Sequence, residues 1–327
     1  MSETASLPVA DVNAKASPRV LDGVKIAAEI KAEVAEEVKR AVAAGYTPGL
    51  AVVLVGNVAA SQIYVRSKVK TCAELGIYSE MHTPDESVTT EELLKLVEEL
   101  NARPEIDGIL IQLPLPKHVD TQRLLDAVHA SKDVDGFHPL NAGRLMNGTD
   151  PKDLLAPCTP AGIMEVLQRS GIPVAGANAV VVGRSNIVGK PAAAMLINAS
   201  ATVTVCHSRT KDLAKFTREA DILVAAIGRP GFVTADMVKP GATLIDVGIN
   251  RLTDDAEVHQ FFPEGHPDRE TRLEGFAKRN STVIGDIEPA AFLKSGAYTP
   301  VPGGVGALTI AMLMSNTVKA ARMRRGK

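Results

Sequence analysis

The sequence predicts an α/β fold in which two α/β domains enclose a cleft, the second of them built on a doubly wound parallel sheet. Short apolar strand candidates alternate with helical patterns along the chain, an order typical of parallel sheets covered by helices on both faces. Aromatic residues make up only 3% of the 327 residues and Trp is absent, so Val, Leu, Ile and Ala must build the core. Such a core suits buried parallel strands, and the length suffices for two domains.

The first domain begins with a long helix. Asp22 is a candidate N-cap, and an apolar pattern at helical spacing runs from Val24 until Gly45 ends it. The elements predicted after it are a strand over 50–55, a helix over 59–75, a strand over 77–82, a helix over 89–101 and a strand over 108–111.

The stretch AVVVGRSNIVGKP, residues 179–191, organises the second domain. Its apolar half predicts a buried parallel strand, Gly183 permits a tight exit, and Pro191 starts a helix whose free N–H groups favour an anion. The match to known fingerprints is incomplete, because a dinucleotide motif carries glycines where Ser185 and Val188 stand. An ordinary strand-turn-helix unit is therefore the alternative to a Rossmann-type nucleotide site.

The next apolar run indicates which nucleotide would bind. Residues 201–206 end in His207-Ser208-Arg209, where folds that bind NAD place an Asp or Glu for the ribose hydroxyls. A hydroxyl and a guanidinium stand there instead, and Arg184 adds a second guanidinium. Such groups hold a 2′-phosphate through charge-assisted hydrogen bonds, so the sequence favours NADP over NAD.

Further elements complete the second half. The predicted order is a helix over 159–169, strands over 222–227, 243–247 and 282–284, and a final helix over 306–324 with a basic end.

A tyrosine and a lysine mark the helix predicted over 59–75. Tyr64 and Lys68 are four residues apart and lie on one face, and the helix begins just past the carboxyl end of a parallel strand, where α/β folds bind ligands. A surface lysine whose stem packs on its neighbours is the simpler alternative. A phenol near a partly buried amine instead favours a lysine that can act as a base.

Two further stretches place polar groups at the same edge. A strand ends in Gln112-Leu113-Pro114, and the amide of Gln112 either points into the crevice or satisfies loop backbone. In KDVDGFH, one of the carboxylates Asp133 and Asp135 can bind a donor-rich ligand edge while the other caps a turn.

Charge and cysteine usage limit the partners and the compartment. The net charge is −2, with Lys and Arg spread along the chain, so neither nucleic acid nor an acidic membrane is an expected partner. The most apolar segments, 49–55 and 307–314, are too short to cross a bilayer. Cys72, Cys158 and Cys206 are far apart and lack metal-type spacing, which favours the cytoplasm and predicts no metal.

Two segments depart from the α/β pattern. Residues 1–19 mix small and polar residues and predict a loose tail. The segment 252–281 is rich in charge, and its His259 and His266 show no compact ligand spacing. A solvated excursion is therefore favoured over a metal site.

Seven motifs occur together in one order, and together they resemble the bifunctional methylenetetrahydrofolate dehydrogenase/cyclohydrolase family. They are YVRSK at 64–68, IQLPLP at 111–116, KDVDGFHPLNAGRL at 132–145, PCTPAGIMEVL at 157–167, VVVGRSNIVGKP at 180–191, IDVGINR at 245–251 and TPVPGGVGALT at 299–309. Their joint occurrence is far more specific than any one motif.

The resemblance implies two reactions in one shared cleft. These are NADP-dependent oxidation of 5,10-methylenetetrahydrofolate to 5,10-methenyltetrahydrofolate and hydrolysis of that product to 10-formyltetrahydrofolate. The implied partners are tetrahydrofolate one-carbon derivatives and a second copy of the chain in a homodimer. The implied domains are 20–158 plus 308–327, which binds folate, and 159–307, which binds NADP and carries the segment 252–281 where relatives have a short turn.

The resemblance also assigns residues. Lys68 matches the catalytic lysine, needed chiefly for hydrolysis, and Tyr64 matches the tyrosine that stacks on folate and contacts that lysine. Gln112 matches the glutamine that holds the lysine, and Asp135 the aspartate that grips the pterin ring. The further substrate residues implied are Leu113, Pro114, Pro302, Gly303 and Gly304, and the cofactor residues are Gly183, Arg184, Ser185, Ser208 and Ile249.

Departures and alternatives accompany this assignment. Val58-Ala59 replaces the usual Asp-Pro, and Ala307 replaces a proline, changes expected to affect efficiency. A short-chain dehydrogenase also carries Tyr-x-x-x-Lys, but there the pair follows the glycine loop, whereas here it precedes it. A member with dehydrogenase activity alone and a scaffold that binds NADP without turnover are the remaining alternatives.

Overall fold

The structure, a computed structural model, describes residues 17–57 and 59–325. The tail predicted over 1–19 falls mostly outside this range, as does Val58 of the departure at Val58-Ala59. Arg19, assigned to the tail, instead forms a short strand with Val20.

The strands, in chain order, are β1 (Arg19–Val20), β2 (Gly49–Val53), β3 (Tyr78–His82), β4 (Gly108–Ile111), β5 (Asn178–Val182), β6 (Thr202–Cys206), β7 (Ile222–Ala225), β8 (Thr243–Asp246), β9 (Asn250–Leu252), β10 (Thr282–Ile284) and β11 (Ala297–Tyr298). The helices are α1 (Gly23–Ala43), α2 (Ala59–Leu75), α3 (Thr90–Ala102), α4 (Thr121–Ala127), α5 (Pro139–Met146), α6 (Cys158–Arg169), α7 (Gly189–Asn198), α8 (Leu213–Thr217), α9 (Asp255–Phe261), α10 (Arg269–Arg279), α11 (Pro289–Phe292) and α12 (Val305–Arg325).

Strand β2 is the centre of the first lobe, which we define as the parallel sheet β3-β2-β4 with the helices packed on it. All five residues of β2 are buried. Because successive side chains face opposite sides of a strand, Ala51 and Val53 pack with residues of α3, whereas Leu50 and Val52 join a core shared with α1 and α12. The helix-covered parallel sheet predicted for this half is confirmed.

The second lobe is built on a parallel sheet with the strand order β1-β11-β8-β7-β5-β6. From β5 the chain adds β6 on one side and then crosses to add β7 on the other. The order therefore reverses at β5, which is the switch point where doubly wound sheets bind ligands beyond the carboxyl ends of their strands. The doubly wound sheet predicted for the second domain is confirmed.

The segment 252–281 corrects a prediction. It contains α9 and α10, and Val258 and Phe262 are 0% and 1% exposed in a small core with Leu252 and Ile284. The expected solvated excursion is therefore wrong for its centre. The two apolar side chains are four residues apart and share one face, so the segment buries them locally.

The strand predicted over 282–284 forms, but outside the parallel sheet. It is β10, which pairs antiparallel with β9 and places Leu252 directly opposite Thr282. The two ends of the segment 252–281 are therefore adjacent in space.

Helix α12 joins the two lobes. It packs on α1 and α6 and also contacts β2 and β4. At its basic end, Arg324 and Arg325 bind the carboxylate of Asp107, which is 0% exposed, with N–O distances of 2.6 and 2.9 Å. No helix in the described ranges is long and apolar enough to cross a membrane.

Candidate active site

Helix α2 presents Tyr64 and Lys68 on consecutive turns. Lys68 is 4% exposed, and its Nζ donates a hydrogen bond of 3.0 Å to Oε1 of Gln112. The same nitrogen lies 4.7 Å from the centre of the Tyr64 ring. Burial raises the pKa of the Tyr64 phenol to about 12, so the ring stays neutral beside the amine. The structure therefore brings together three of the residues predicted from the sequence.

Gln112 is oriented by the exit from β4. Its backbone N–H donates to the Val53 carbonyl at 2.9 Å, which continues the sheet pairing by one residue. Its side-chain Nε2 donates to the Leu113 carbonyl at 2.7 Å, and this leaves Oε1 to face Lys68. Leu113 and the exposed Pro114 follow directly. The sequence left open whether the Gln112 amide faces the crevice or satisfies loop backbone, and the structure shows it doing both.

The two carboxylates after β4 differ in their partners. Asp133 accepts hydrogen bonds from the backbone N–H groups of Phe137 and His138 and from the side chain of Asn141, so it organises the turn. Asp135 lies close enough to Lys68 for the ammonium group to affect it. Burial nevertheless raises the pKa of Asp135 to about 6, against the effect of Lys68 and helped by the charge of Asp133. Asp135 is the carboxylate suited to a ligand.

The loop after β5 forms a tight cradle. Gly183 has φ +131°, and a Cβ there would lie 2.1 Å from the carbonyl oxygen of Ala226. A Cβ on Gly189, at the start of α7, would lie 2.2 Å from the Gly183 carbonyl. Only glycine fits at both places, so backbone N–H groups are accessible to a ligand as a dinucleotide phosphate requires.

Ser185 has a second task that the sequence did not indicate. Its hydroxyl oxygen accepts hydrogen bonds from the backbone N–H groups of Val188 and Gly189 at 3.1 and 3.3 Å. The side chain therefore fixes the start of α7 and keeps its own O–H proton for a ligand.

The loop after β6 lies beside this cradle, because Val182 and Cys206 are paired where β5 and β6 end. The His207 backbone N–H donates to the Thr210 hydroxyl at 2.8 Å and shapes the turn, while Ser208 is exposed. Arg184 is exposed on the neighbouring loop. A hydroxyl and a guanidinium on adjacent loops are a suitable donor set for the 2′-phosphate of NADP.

A cavity of about 200 Å³ lies between the lobes. Tyr64 lines it from the first lobe, and strand β10 and the segments 246–249 and 300–307 line the opposite side. The lining residues of the second lobe include Ile249, Val283, Pro302, Gly303 and Gly304. The structure thus places the predicted substrate loop and Ile249 across a shared cavity from Tyr64.

Two buried aspartates were missed by the sequence analysis. Asp286 accepts hydrogen bonds from the backbone N–H groups of Ile227, Gly228 and Arg229, at 2.6 to 2.9 Å. Asp246 accepts from three backbone N–H groups, including that of Asp286, while burial raises its pKa to about 7. Both carboxylates organise loops at strand ends. An acidic residue within two positions of a glycine at the end of a strand is the signal that could have found them.

The two histidines of the segment 252–281 lie apart from the cleft residues described above. His259 contacts Arg269 through Nδ1 at 2.9 Å, and its Nε2 lies 3.4 Å from the carboxylate of Asp255. The Nδ1 of His266 accepts a hydrogen bond from the Asp268 backbone. Within residues 17–57 and 59–325, no group of three His, Cys, Asp or Glu side chains is arranged to hold a metal ion.

Fold and site together define a two-lobed α/β dehydrogenase, with a dinucleotide cradle on one lobe and a buried lysine on the other. More narrowly, the chain belongs to the tetrahydrofolate dehydrogenase/cyclohydrolase family. The model of the family's catalytic domain matches residues 21–135, and the model of its NAD(P)-binding domain matches residues 157–325.

Individual relatives agree with this assignment. The chain is 62% identical over 307 residues to the bifunctional protein FolD of Koribacter versatilis, covering 94% of this chain and 98% of the relative. The crystal structure of the bifunctional FolD dehydrogenase/cyclohydrolase of Campylobacter jejuni superposes with a TM-score of 0.83 at 43% identity, covering 94% of this chain and 100% of that one. The Trypanosoma brucei dehydrogenase-cyclohydrolase, solved with NADP cofactor and inhibitor, gives a TM-score of 0.82 at 35% identity and covers 94% and 98%.

Proposed function

We propose that this chain oxidises 5,10-methylenetetrahydrofolate with NADP and hydrolyses the methenyl product to 10-formyltetrahydrofolate, in the cleft between its lobes. The proposal rests chiefly on the buried Lys68 with its 3.0 Å bond to Gln112, on the lobe that faces the dinucleotide cradle. The membership of the family and the FolD name of the relatives support the same two reactions.

The cofactor would be held by the cradle of the second lobe. Gly183 and Ser185 would face its phosphates, Arg184 and Ser208 its 2′-phosphate, and Ile249 its nicotinamide end. When bound, NADP accepts a hydride. The two glycine positions that leave no room for a Cβ support this fit.

The oxidation depends on the position of the substrate more than on a residue that acts as an acid or a base. Hydride leaves a carbon flanked by two nitrogens, and those nitrogens stabilise the cation that remains. The chain's task is to hold that carbon in place, with Tyr64 against the folate ring and the loop Pro302, Gly303 and Gly304 closing over it.

The hydrolysis requires proton transfer. Water adds to the methenyl carbon and loses one proton; the carbon–N5 bond then breaks as N5 gains a proton and the new hydroxyl loses one. In its neutral amine form, Lys68 is the proposed base that takes the proton from water, and Gln112 keeps the amine directed at that water.

The folate itself would be held by Asp135. Its carboxylate would accept hydrogen bonds from the amino and ring N–H groups of the pterin. Leu113 and Pro114 would contact the substrate where the chain leaves β4. The position of Asp135 near Lys68 supports this placement.

Substitution of Lys68 by Met tests the lysine. We expect Lys68→Met to lower the cyclohydrolase rate at least about a hundredfold, the usual range for a general base, with a smaller effect on NADPH formation. NADPH and methenyltetrahydrofolate absorbance are followed together in one assay. An unchanged cyclohydrolase rate in the folded variant would contradict the role of Lys68.

We further propose domain limits of 20–158 plus 308–327 for folate and 159–307 for NADP with 252–281 inserted, with Val20 at the boundary because it pairs with β11 of the second lobe. The packing of α12 on α1 supports a first domain completed by the end of the chain. We also propose a cytoplasmic homodimer. The cysteines Cys72, Cys158 and Cys206 are buried thiols, in keeping with a reducing compartment, and light scattering measures the mass in solution.

A further inference from the structure

Arg272 of helix α10 reaches out of the segment 252–281 to the wall of the cleft. Its Nη1 donates to the carbonyl of Val283 at 3.0 Å, and its Nη2 donates to the carbonyl of Val301 at 2.5 Å. Val283 and Val301 both line the cavity between the lobes. The guanidinium therefore links two parts of the cavity wall through their backbone carbonyls.

The guanidinium is itself held in place. It lies over the ring of Phe262, 5.2 Å from the ring centre, and Phe262 is only 1% exposed. The carboxylate of Asp268, which lies one turn earlier at the N-terminus of α10, acts electrostatically on the guanidinium. A planar side chain packed on a buried ring and bonded at both ends of its fork has little freedom left. It can transmit the position of α10 to the cleft.

The loop contacted by Arg272 through Val301 contains two consecutive glycines. Residues 300–304 connect β11 to α12 and contain Gly303 and Gly304 in succession. Gly303 has φ +103°, a conformation that other residues rarely adopt. Since glycine allows many backbone conformations, an external hydrogen bond to Val301 limits how far the loop can move.

We propose that Arg272 is a positioning residue for the substrate loop 300–304, and that this is the role of the segment 252–281. The inference rests on the proposed function, in which this loop closes over folate. Without Arg272 the loop would populate more open conformations, and apparent affinity falls with the fraction of molecules that are ready to bind. The effect would be on the folate KM more than on the cofactor, whose phosphate cradle lies elsewhere.

Three variants test the proposal in the full-length enzyme. Arg272→Met removes both hydrogen bonds but keeps a packing stem. Arg272→Lys keeps the charge, yet one ammonium group cannot bridge both carbonyls in the same way. Arg269→Met is the matched control on the same helix, because Arg269 contacts Phe262 and His259 inside the segment.

We expect Arg272→Met to raise the KM for 5,10-methylenetetrahydrofolate about tenfold, the factor that corresponds to losing about 1.4 kcal/mol from a charged hydrogen bond. The KM for NADP should change less than about twofold, Arg272→Lys should be intermediate, and Arg269→Met should match the parent. Initial rates at saturating concentration of the other substrate give these constants.

Two results would overturn the role of Arg272. One is an unchanged folate KM in Arg272→Met; the other is an equal increase in Arg269→Met, which would show general loosening of the segment. If Arg272→Met does not fold, Arg272→Lys decides, since an unchanged folate KM there also overturns the proposal and an increase supports it. Failure of the proposed function is distinct, because the parent enzyme would then lack both activities.

Discussion

Lowering the pH from 7.5 to 5 should weaken folate binding through the carboxyl group of Asp135. Burial raises the pKa of this group to about 6. Because the ionised form accepts the pterin hydrogen bonds, binding is complete above this pKa and is lost as the pH falls through it. The carboxylate fraction is about 97% at pH 7.5 and about 9% at pH 5, so the affinity should fall about tenfold.

Calorimetric titration with folic acid measures this effect without turnover, since folic acid carries the same pterin donors. Asp135→Asn is the decisive variant, because it removes the titrating group and should bind weakly at both pH values. Asp133 also titrates nearby, but its carboxylate is engaged by the turn and remains in the variant. A parent affinity that changes less than twofold over this range, or an equal pH dependence in Asp135→Asn, would refute the reasoning.

Two other predictions concern stability and cofactor choice. Asp107→Asn should lower the free energy of unfolding by about 2–4 kcal/mol, because Arg324 and Arg325 lose a buried charged partner. Urea unfolding measures this difference, and a loss below about 1 kcal/mol would contradict the prediction. Arg184→Ala should reduce the preference for NADP over NAD at least about tenfold in kcat/KM, while a parent that prefers NAD would overturn the 2′-phosphate argument.

Local sequence patterns predicted most elements near their observed ends. Helix α2 occupies the predicted range 59–75, and Asp22 caps α1 by accepting a hydrogen bond from the Lys25 backbone N–H. These features depend on residues close in the chain, so periodicity and capping chemistry suffice. The spacing of Tyr64 and Lys68 likewise predicted their shared face and a candidate base, while the specific roles of both residues toward folate came from the family resemblance.

Features that depend on distant residues were not predictable in this way. The antiparallel pairing of β9 with β10 joins residues on either side of 252–281, and a lone strand pattern does not state its partner. Asp246 and Asp286 were missed because their hydrogen bonds connect loops that only the folded sheet brings together. The hydroxyl of Ser185 was expected at a ligand and also supports the start of α7.

The facing positions of Leu252 and Thr282 have an evolutionary consequence. A piece of chain whose two ends are adjacent can be gained or removed by changing one hairpin tip, with little displacement of the enzyme beneath it. With Arg272 in its proposed role, sequence changes within this segment would adjust substrate recognition while leaving the chemical groups untouched.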